Sequence, residues 1–381
     1  MKKAHNKTGK TNGFLVPKIS KKSSRNPRIS GMRRSRSAQI SITFNWIYIM
    51  IAGGVILLFF IGIVVKQQSR SEQILSTDVL EIMEGIFTGA SVSDDTINHI
   101  PAAGLRDYTF YFNCEDEYGE YGIEGLSNPI EDQITPLFSP LEIRSDEFIL
   151  WSVPYHLPYK MIDMLMISSK HTKYVMLSST DPFVTELIKL LTDEFNIDFV
   201  DSFDDVKMGA NFHLRIIYLP GQFDNAIPAS LQNLAPGTLS AIEFTGDQVT
   251  FYDNDATTWK KDKTLPVITM DEDRPAAKYA AMFAGNAKIY ECNMRKAFRR
   301  AEFISRLHEL KYTEIVQHHS SLTDPCNILV SKGKTMPAKL AAEAEICSLS
   351  LEGGCSEILN TANELQIFNQ KLRQESCVQL Y

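Results

Sequence analysis

Apolar positions show no pattern over the first 41 residues, run unbroken over the next stretch, and become periodic beyond it. The unbroken stretch is Trp46 to Val65, WIYIMIAGGVILLFFIGIVV, with 20 residues and no charge. At ~1.5 Å per residue it predicts a helix of about 30 Å, the thickness of a bilayer's hydrocarbon core. Trp46 and Tyr48 open the run, where amphipathic rings favour the headgroup level, and Lys66 closes it. The expectation is a transmembrane helix over 42–66, with the lipid bilayer as partner. Gly54 and Gly62 share one face, so other membrane proteins are candidate partners through this glycine-containing helix; a plain single anchor is the simpler alternative. A cleaved secretory signal competes, but its apolar region is shorter and ends in small residues, unlike VVKQQ here.

Past the span, Ile74, Val79, Ile82, Met83, Ile86 and Phe87 have partly helical spacing, so 67–95 reads as a helical stalk that breaks after Gly89. DYTFYFNC (107–114) alternates as a strand. CEDEYGEYGIEGLSN after it reads as a solvated acidic loop carrying Glu115, Asp116, Glu117, Glu120 and Glu124. EFILWSVPYHLP (147–158) is another strand, whose Trp151, Tyr155 and His156 suit either a pocket wall or the core. The clearest module starts at Lys173. KYVMLSS is a buried strand, Thr180-Asp181-Pro182 supply a cap and a first-turn proline, and PFVTELIKLLTDEFN is an amphipathic helix. IDFVDS and FHLRIIYL are two further strands, and this spacing predicts a parallel, right-handed crossover.

Residues 219–238 read as a long surface loop, LSAIEF and QVTFYD as a hairpin, and LPVITM (265–270) as a short strand. From Pro275 the pattern turns helical: AAKYAAMFAG up to Gly285, then 291–315, then 354–374. Arg295, Lys296, Arg299 and Arg300 form a basic face on the second of these, suited to the acidic body. The expected fold class is α/β: an N-terminal transmembrane helix, a Rossmann-like α/β layer over 100–274, and a C-terminal helical layer over 275–381 packed on it.

Charge orients the chain. Residues 1–41 hold twelve Lys or Arg and no Asp or Glu. The whole carries −7, so with those twelve positive charges set aside the remainder carries −19. Positive charge beside a span stays cytoplasmic, which places a disordered basic tail inside and the C-terminal domain outside the cell membrane. Phe14 is the tail's single aromatic and no groove-reading motif is present, so membrane attraction accounts for the tail and nucleic acid is not an expected partner. All six cysteines, Cys114, Cys292, Cys326, Cys347, Cys355 and Cys377, follow the span. An even number outside suggests disulfides, and spacing does not choose among the pairings. Cys347 and Cys355 flank a Gly-Gly turn and suit a small loop; Cys292 and Cys377 suit a pin on the C-terminus.

Arg33 to Phe44, RRSRSAQISITF, carries basic residues, a small residue, Gln and then Ser ahead of the apolar helix. In this it resembles the class III signal of archaeal type IV pilin-like proteins. Ser41 matches, and Thr43 stands where that family often has Glu. The resemblance implies cytoplasmic-side processing between Ala38 and Gln39, with the helix kept on the mature chain. The remainder is similar to uncharacterised archaeal single-span membrane proteins, a likeness that brings no function with it.

Chemical signatures are sparse. No G-x-S-x-G, H-E-x-x-H or Walker loop is present, and SKGKTMPAK (331–339) lacks the first P-loop glycine. The turn SSTDP has no glycine for a pyrophosphate, so a dinucleotide cofactor is not expected; neither is a metal. Ser178, Ser179 and Thr180 at the helix start are either an anion site or capping residues. The functional expectation is a single-pass, membrane-anchored extracytoplasmic domain for binding or cell-surface assembly. A pilin-like subunit of a filament or secretion complex is the first alternative, and an anchored hydrolase-like enzyme with its site near 178–181 is the second.

Overall fold

The structure, a computed structural model, describes residues 37–381 apart from 92, 94, 127, 272–273, 321–325 and 354; the side chains of 37–49, 64–77 and 103 also lie outside the described set. Most of the basic tail therefore falls outside it, as do the side chains of Ala38 and Gln39. The chain divides into two compact units, residues 1–67 and 68–381. Helix α1 (Ser37–Ala90) begins in the first. Among the described residues no helix is long and apolar enough to cross a membrane. Of the run Trp46–Val65, only residues 50–63 have described side chains. The large apolar ones are exposed, from 43% at Ile63 to 69% at Leu58.

The second unit holds the mixed α/β body. The last turns of α1 belong to its core. Leu80, Met83, Phe87 and Ala90 are spaced three and four apart and all are buried. Phe87 meets Tyr121 edge-on at 5.1 Å between ring centroids. This part of the expected stalk is therefore packed, not free. Eight strands follow: β1 (Ile97–Pro101), β2 (Phe110–Glu115), β3 (Tyr118–Ile123), β4 (Ile130–Asp132), β5 (Leu137–Phe138), β6 (Glu142–Ile143), β7 (Glu147–His156) and β8 (Lys160–Ser169). They form two four-stranded sheets, in the orders β1-β7-β8-β5 and β4-β3-β2-β6.

Two of these strands depart from the expected pattern. The acidic stretch after Cys114 is not a loop: it is the tip and return strand of the β2–β3 hairpin. Asp116 and Glu117 stand at the tip with φ of 49° and 70°, a region that costs L-residues ~1–2 kcal/mol each. Contacts to the helical layer hold the tip. Glu117 accepts from Arg295 at 3.2 Å and from Arg299 at 2.6 Å, and Glu115 pairs with Lys288 at 3.0 Å. The Cys114–Cys292 disulfide ties the same hairpin to the same helix. Strand β8, KMIDMLMISS, has Met164 to Ile167 fully buried. A strand covered on both faces loses its alternation and leaves no period-two signal.

The central sheet is six-stranded, built from β9 (Thr172–Leu177), β10 (Ile197–Val200), β11 (His213–Tyr218), β12 (Leu239–Thr245), β13 (Gln248–Asp255) and β14 (Thr258–Pro266), in the order β10-β9-β11-β12-β13-β14. The first four are parallel and the last two antiparallel. Helix α2 (Pro182–Leu191) makes the crossover from β9 to β10, capped by Asp181 with Pro182 at its start. The last strand is 258–266, not 265–270. Exposed Lys260 and Lys261 guard its free edge against pairing, which is also why its sequence does not look like a strand.

The helical layer comprises α3 (Ala276–Phe283), α4 (Ala287–His318), α5 (Asn327–Lys332), α6 (Met336–Leu349) and α7 (Ile358–Gln374). Its residues share one core with α2 and one face of the central sheet. The opposite face, with Leu214, Ile216 and Tyr218, packs on Val206, Ile227 and Leu231 from the connecting loops. The pairing Cys347–Cys355 is present as expected; the C-terminus is pinned by Cys326–Cys377 and not by Cys292.

Candidate functional site

In an open α/β sheet the crevice at the carboxyl ends of the strands, where the chain reverses its direction of winding, is the usual ligand position. Here that place lies between β9 and β11. A cleft of about 290 Å³ opens there, lined by Leu177, Tyr218, Asp201, Asp204, Asp224 and Pro228 among others. Ser178, Ser179 and Thr180 lie in the turn that leaves β9 at this same end. The Ser178 N–H donates to Val200 O at 2.8 Å. Ser179 Oγ accepts the Asp181 N–H at 3.1 Å, and Asp181 Oδ1 accepts the Phe183 N–H at 2.8 Å. The helix thus brings its own carboxylate to its N-terminus. With three more aspartates facing the cleft, the local field favours cations and opposes anions. The carboxylates also serve the loops: Asp224 Oδ1 accepts the Ala226 N–H at 3.0 Å. Among the described residues no group of three or more His, Cys, Asp or Glu is placed to hold a metal ion.

The amino ends of the same strands differ. A cleft of about 620 Å³ is lined by Arg106, Asp107, Arg144, His171, Ala210, Asn211 and Phe212. Four separate loops supply them. Arg106 and Asp107 follow the 3-10 turn Ala103–Leu105, which is closed by the Tyr108 N–H donating to Leu105 O at 3.0 Å. Arg144 lies between β6 and β7, His171 directly before β9, and Ala210 to Phe212 directly before β11. The loops are fixed to one another. The Phe212 N–H donates to His171 O at 2.8 Å, and Asn196 Nδ2 bridges Lys170 O (3.1 Å) and Asn211 Oδ1 (2.9 Å). Asp146 takes the Lys170 ammonium at 2.7 Å and faces His171 Nε2 at 3.7 Å. The Lys170 hydrogen bond holds the Asp146 carboxyl below its ordinary range. Arg106 and Arg144 form no ion pair among the described residues, although the body around them is strongly acidic. Both are exposed. A guanidinium with no carboxylate partner keeps its planar fork of donors available to a carboxylate or phosphate.

Behind this cleft lies a buried polar chain. His213 Nδ1 contacts Gly237 O at 2.8 Å, and its Nε2 contacts Ser240 Oγ at 3.1 Å. With the proton on Nδ1 donated to that carbonyl, Nε2 accepts the Ser240 hydroxyl. Arg215 Nε donates to the same Ser240 Oγ at 3.1 Å. Its Nη atoms donate to Met282 O (3.2 Å), to Gly285 O (2.9 Å) and to Ala284 O, so a buried cation closes the C-terminal end of α3. Burial pushes His213 down to about 4 and Arg215 down to about 10. The Ser–His pair is enclosed, at the amino end of its strands, with every polar atom engaged; its role is to join sheet and helix. A second buried cation, Lys296, donates to Asp132 O at 2.7 Å and Thr135 O at 3.3 Å, and desolvation lowers it to about 8.

The residues of the cationic cleft were not visible as a motif, since no two loops place them at a fixed spacing. The available signal was the scarcity of arginine in a body rich in carboxylates. No protein-family model matches the chain, and no curated protein or solved structure is similar to it.

Proposed function

We propose that this chain is a membrane-anchored binding domain, displayed outside the cell membrane, that holds an anionic ligand in the cleft of Arg106, Arg144 and His171. The unpaired arginine pair carries this reading. In a body of net charge −19, two guanidinium groups that share one cleft with a single aspartate, Asp107, and form no ion pair among the described residues are placed for a charge that arrives from outside. The ligand class is a carboxylate- or phosphate-bearing molecule. Anchoring rests on the uncharged 20-residue run and the basic tail before it. The outward orientation is further supported by the three disulfides, which persist in oxidising compartments. The finer fold reading, a Rossmann-like layer under a helical layer, rests on the parallel order β10-β9-β11-β12 and the shared core with α2 and α4. A pilin-like subunit remains the second reading, favoured by RRSRSAQISITF; an intact mass beginning at Gln39 would move it ahead.

The test is thermal unfolding of the full chain in detergent, titrated with inorganic phosphate and with citrate. A ligand that binds the folded state alone raises stability by about 2.7 kcal/mol at a hundredfold excess over Kd. The expected result is a concentration-dependent rise in Tm that is lost in Arg106→Ala/Arg144→Ala and kept in Asp201→Asn/Asp224→Asn. An equal rise in all three proteins would overturn the assignment of the cleft.

A further inference from the structure

The outer face of α4 carries a row of apolar side chains that the chain itself does not cover. Phe303, Leu307 and Leu310 are 62%, 56% and 67% exposed. They are spaced four and three apart, so they fall on one line along the helix. The line continues at the same spacing to Arg300 on one side and Glu314 on the other. A 3-4 repeat of this kind is the seam that one helix presents to another. The face is broadened by α6. Arg306 of α4 pairs with Glu345 of α6 at 2.9 Å, and beside Glu345 stand Ile346 and Leu349, 49% and 65% exposed. An apolar patch bordered by charge marks an interaction surface.

The charges at the two ends of the seam select the occupant. Arg300 and Glu314 are exposed and belong to no ion pair among the described residues; the guanidinium of Arg300 lies over the Phe303 ring, 5.6 Å from its centroid. They stand at equal distances along the helix on either side of Leu307. If a second α4 runs antiparallel about a two-fold axis at Leu307, each Arg300 meets the partner copy's Glu314 at the same height. Phe303 then lies near the level of the partner copy's Leu310, and Leu307 meets its own copy. A parallel arrangement would set arginine against arginine and glutamate against glutamate. We propose that the chain associates with a second copy of itself through an antiparallel α4–α4 contact centred on Leu307. An isologous contact of this kind closes on itself and needs no further surface.

The experiment is cysteine cross-linking of the full chain, in membranes and in detergent, with the native cysteines left in their disulfides. Leu307→Cys is expected to give a disulfide-linked dimer on mild oxidation. Thr313→Cys, exposed on the same helix but off the seam, is expected to give none. Arg300→Glu and Glu314→Arg, each alone, are expected to lower the dimer fraction at least tenfold, and the double variant to restore it. Cross-linking at Thr313→Cys equal to that at Leu307→Cys would overturn the proposal, as would a double variant that stays monomeric. A monomeric chain whose Leu307→Cys thiol is shielded from alkylation only in membranes would overturn it in favour of a lipid contact. If Leu307→Cys does not fold, the charge-exchange series still decides.

Discussion

The two ends of the β9–β11 strand pair sit on one sheet and carry opposite charge. At the carboxyl end, Asp201, Asp204 and Asp224 line the cleft beside Leu177 and Tyr218, and the N-terminus of α2 is occupied by its own Asp181. At the amino end, Arg106 and Arg144 line one cleft with His171 and Asp107, and neither arginine forms an ion pair among the described residues. Topology favours the first end as a ligand crevice; charge favours the second. Position in a fold offers a place for a ligand, but a helix that supplies its own anion has already used what the place offers. The end whose charges the chain leaves unanswered is the better candidate.

The largest expected effect lies behind the cationic end. His213 is held neutral in the fold down to about pH 4 by burial, while the unfolded chain takes up its proton near 6.5. Between those values the unfolded state binds the extra proton, so acid favours unfolding, and the stability present above pH 6.5 is lost as pH falls towards 4. The difference amounts to roughly 3 kcal/mol. Chemical denaturation from pH 7 to 4.5 is expected to show this slope, and His213→Asn is expected to flatten it by about one proton. If the slope survives intact in the variant, His213 is not the buried neutral base described here.

Next in size are single changes at the cleft rim. Arg106→Lys keeps the charge but removes the planar fork, as does Arg144→Lys. Each is expected to weaken phosphate binding about tenfold, ~1.4 kcal/mol, with little change in stability without ligand. If lysine binds as well as arginine, a diffuse positive field would replace two built contacts as the explanation.

The sequence disclosed the two ends unequally. Thr180-Asp181-Pro182 announced the cap because capping is local chemistry among neighbours in sequence, and β9, α2, β10 and β11 were legible for the same reason. The cationic cleft is assembled by four loops far apart in sequence, and nothing local links Arg106 to Arg144. Elsewhere the losses were also physical. Strand β8 is apolar on both faces, β14 is lysine-rich because it is an edge, and the β2–β3 hairpin is disguised by carboxylates that turn out to meet Arg295, Arg299 and Lys288. The disulfide Cys347–Cys355 spans a short turn and was readable; Cys114–Cys292 joins residues 178 apart and was not.

Asp181→Ala attacks the comparison directly. Loss of the N-cap is expected to cost about 1 kcal/mol, read as a lower denaturation midpoint. The same variant frees the Phe183 N–H and removes the anion from the helix start. If that alone lets phosphate raise the Tm of an Arg106→Ala/Arg144→Ala background, the carboxyl end was closed to anions by this one carboxylate. If it does not, the remaining aspartates suffice to exclude them.

The smallest effect separates field from contact. Asp201→Asn/Asp224→Asn keeps the Oδ1 that accepts the Ala226 N–H and removes two negative charges from the acidic cleft. Relief of like-charge repulsion between exposed groups is worth only about 0.3 kcal/mol. The double variant is therefore expected to be slightly more stable at low salt, with the gain vanishing as ionic strength shortens the screening length. A gain that persists in high salt would point to a local packing change and not to charge. The acidic end would then lose its status as an electrostatic counterpart of the arginine cleft, whose own anion binding must weaken over the same range of salt.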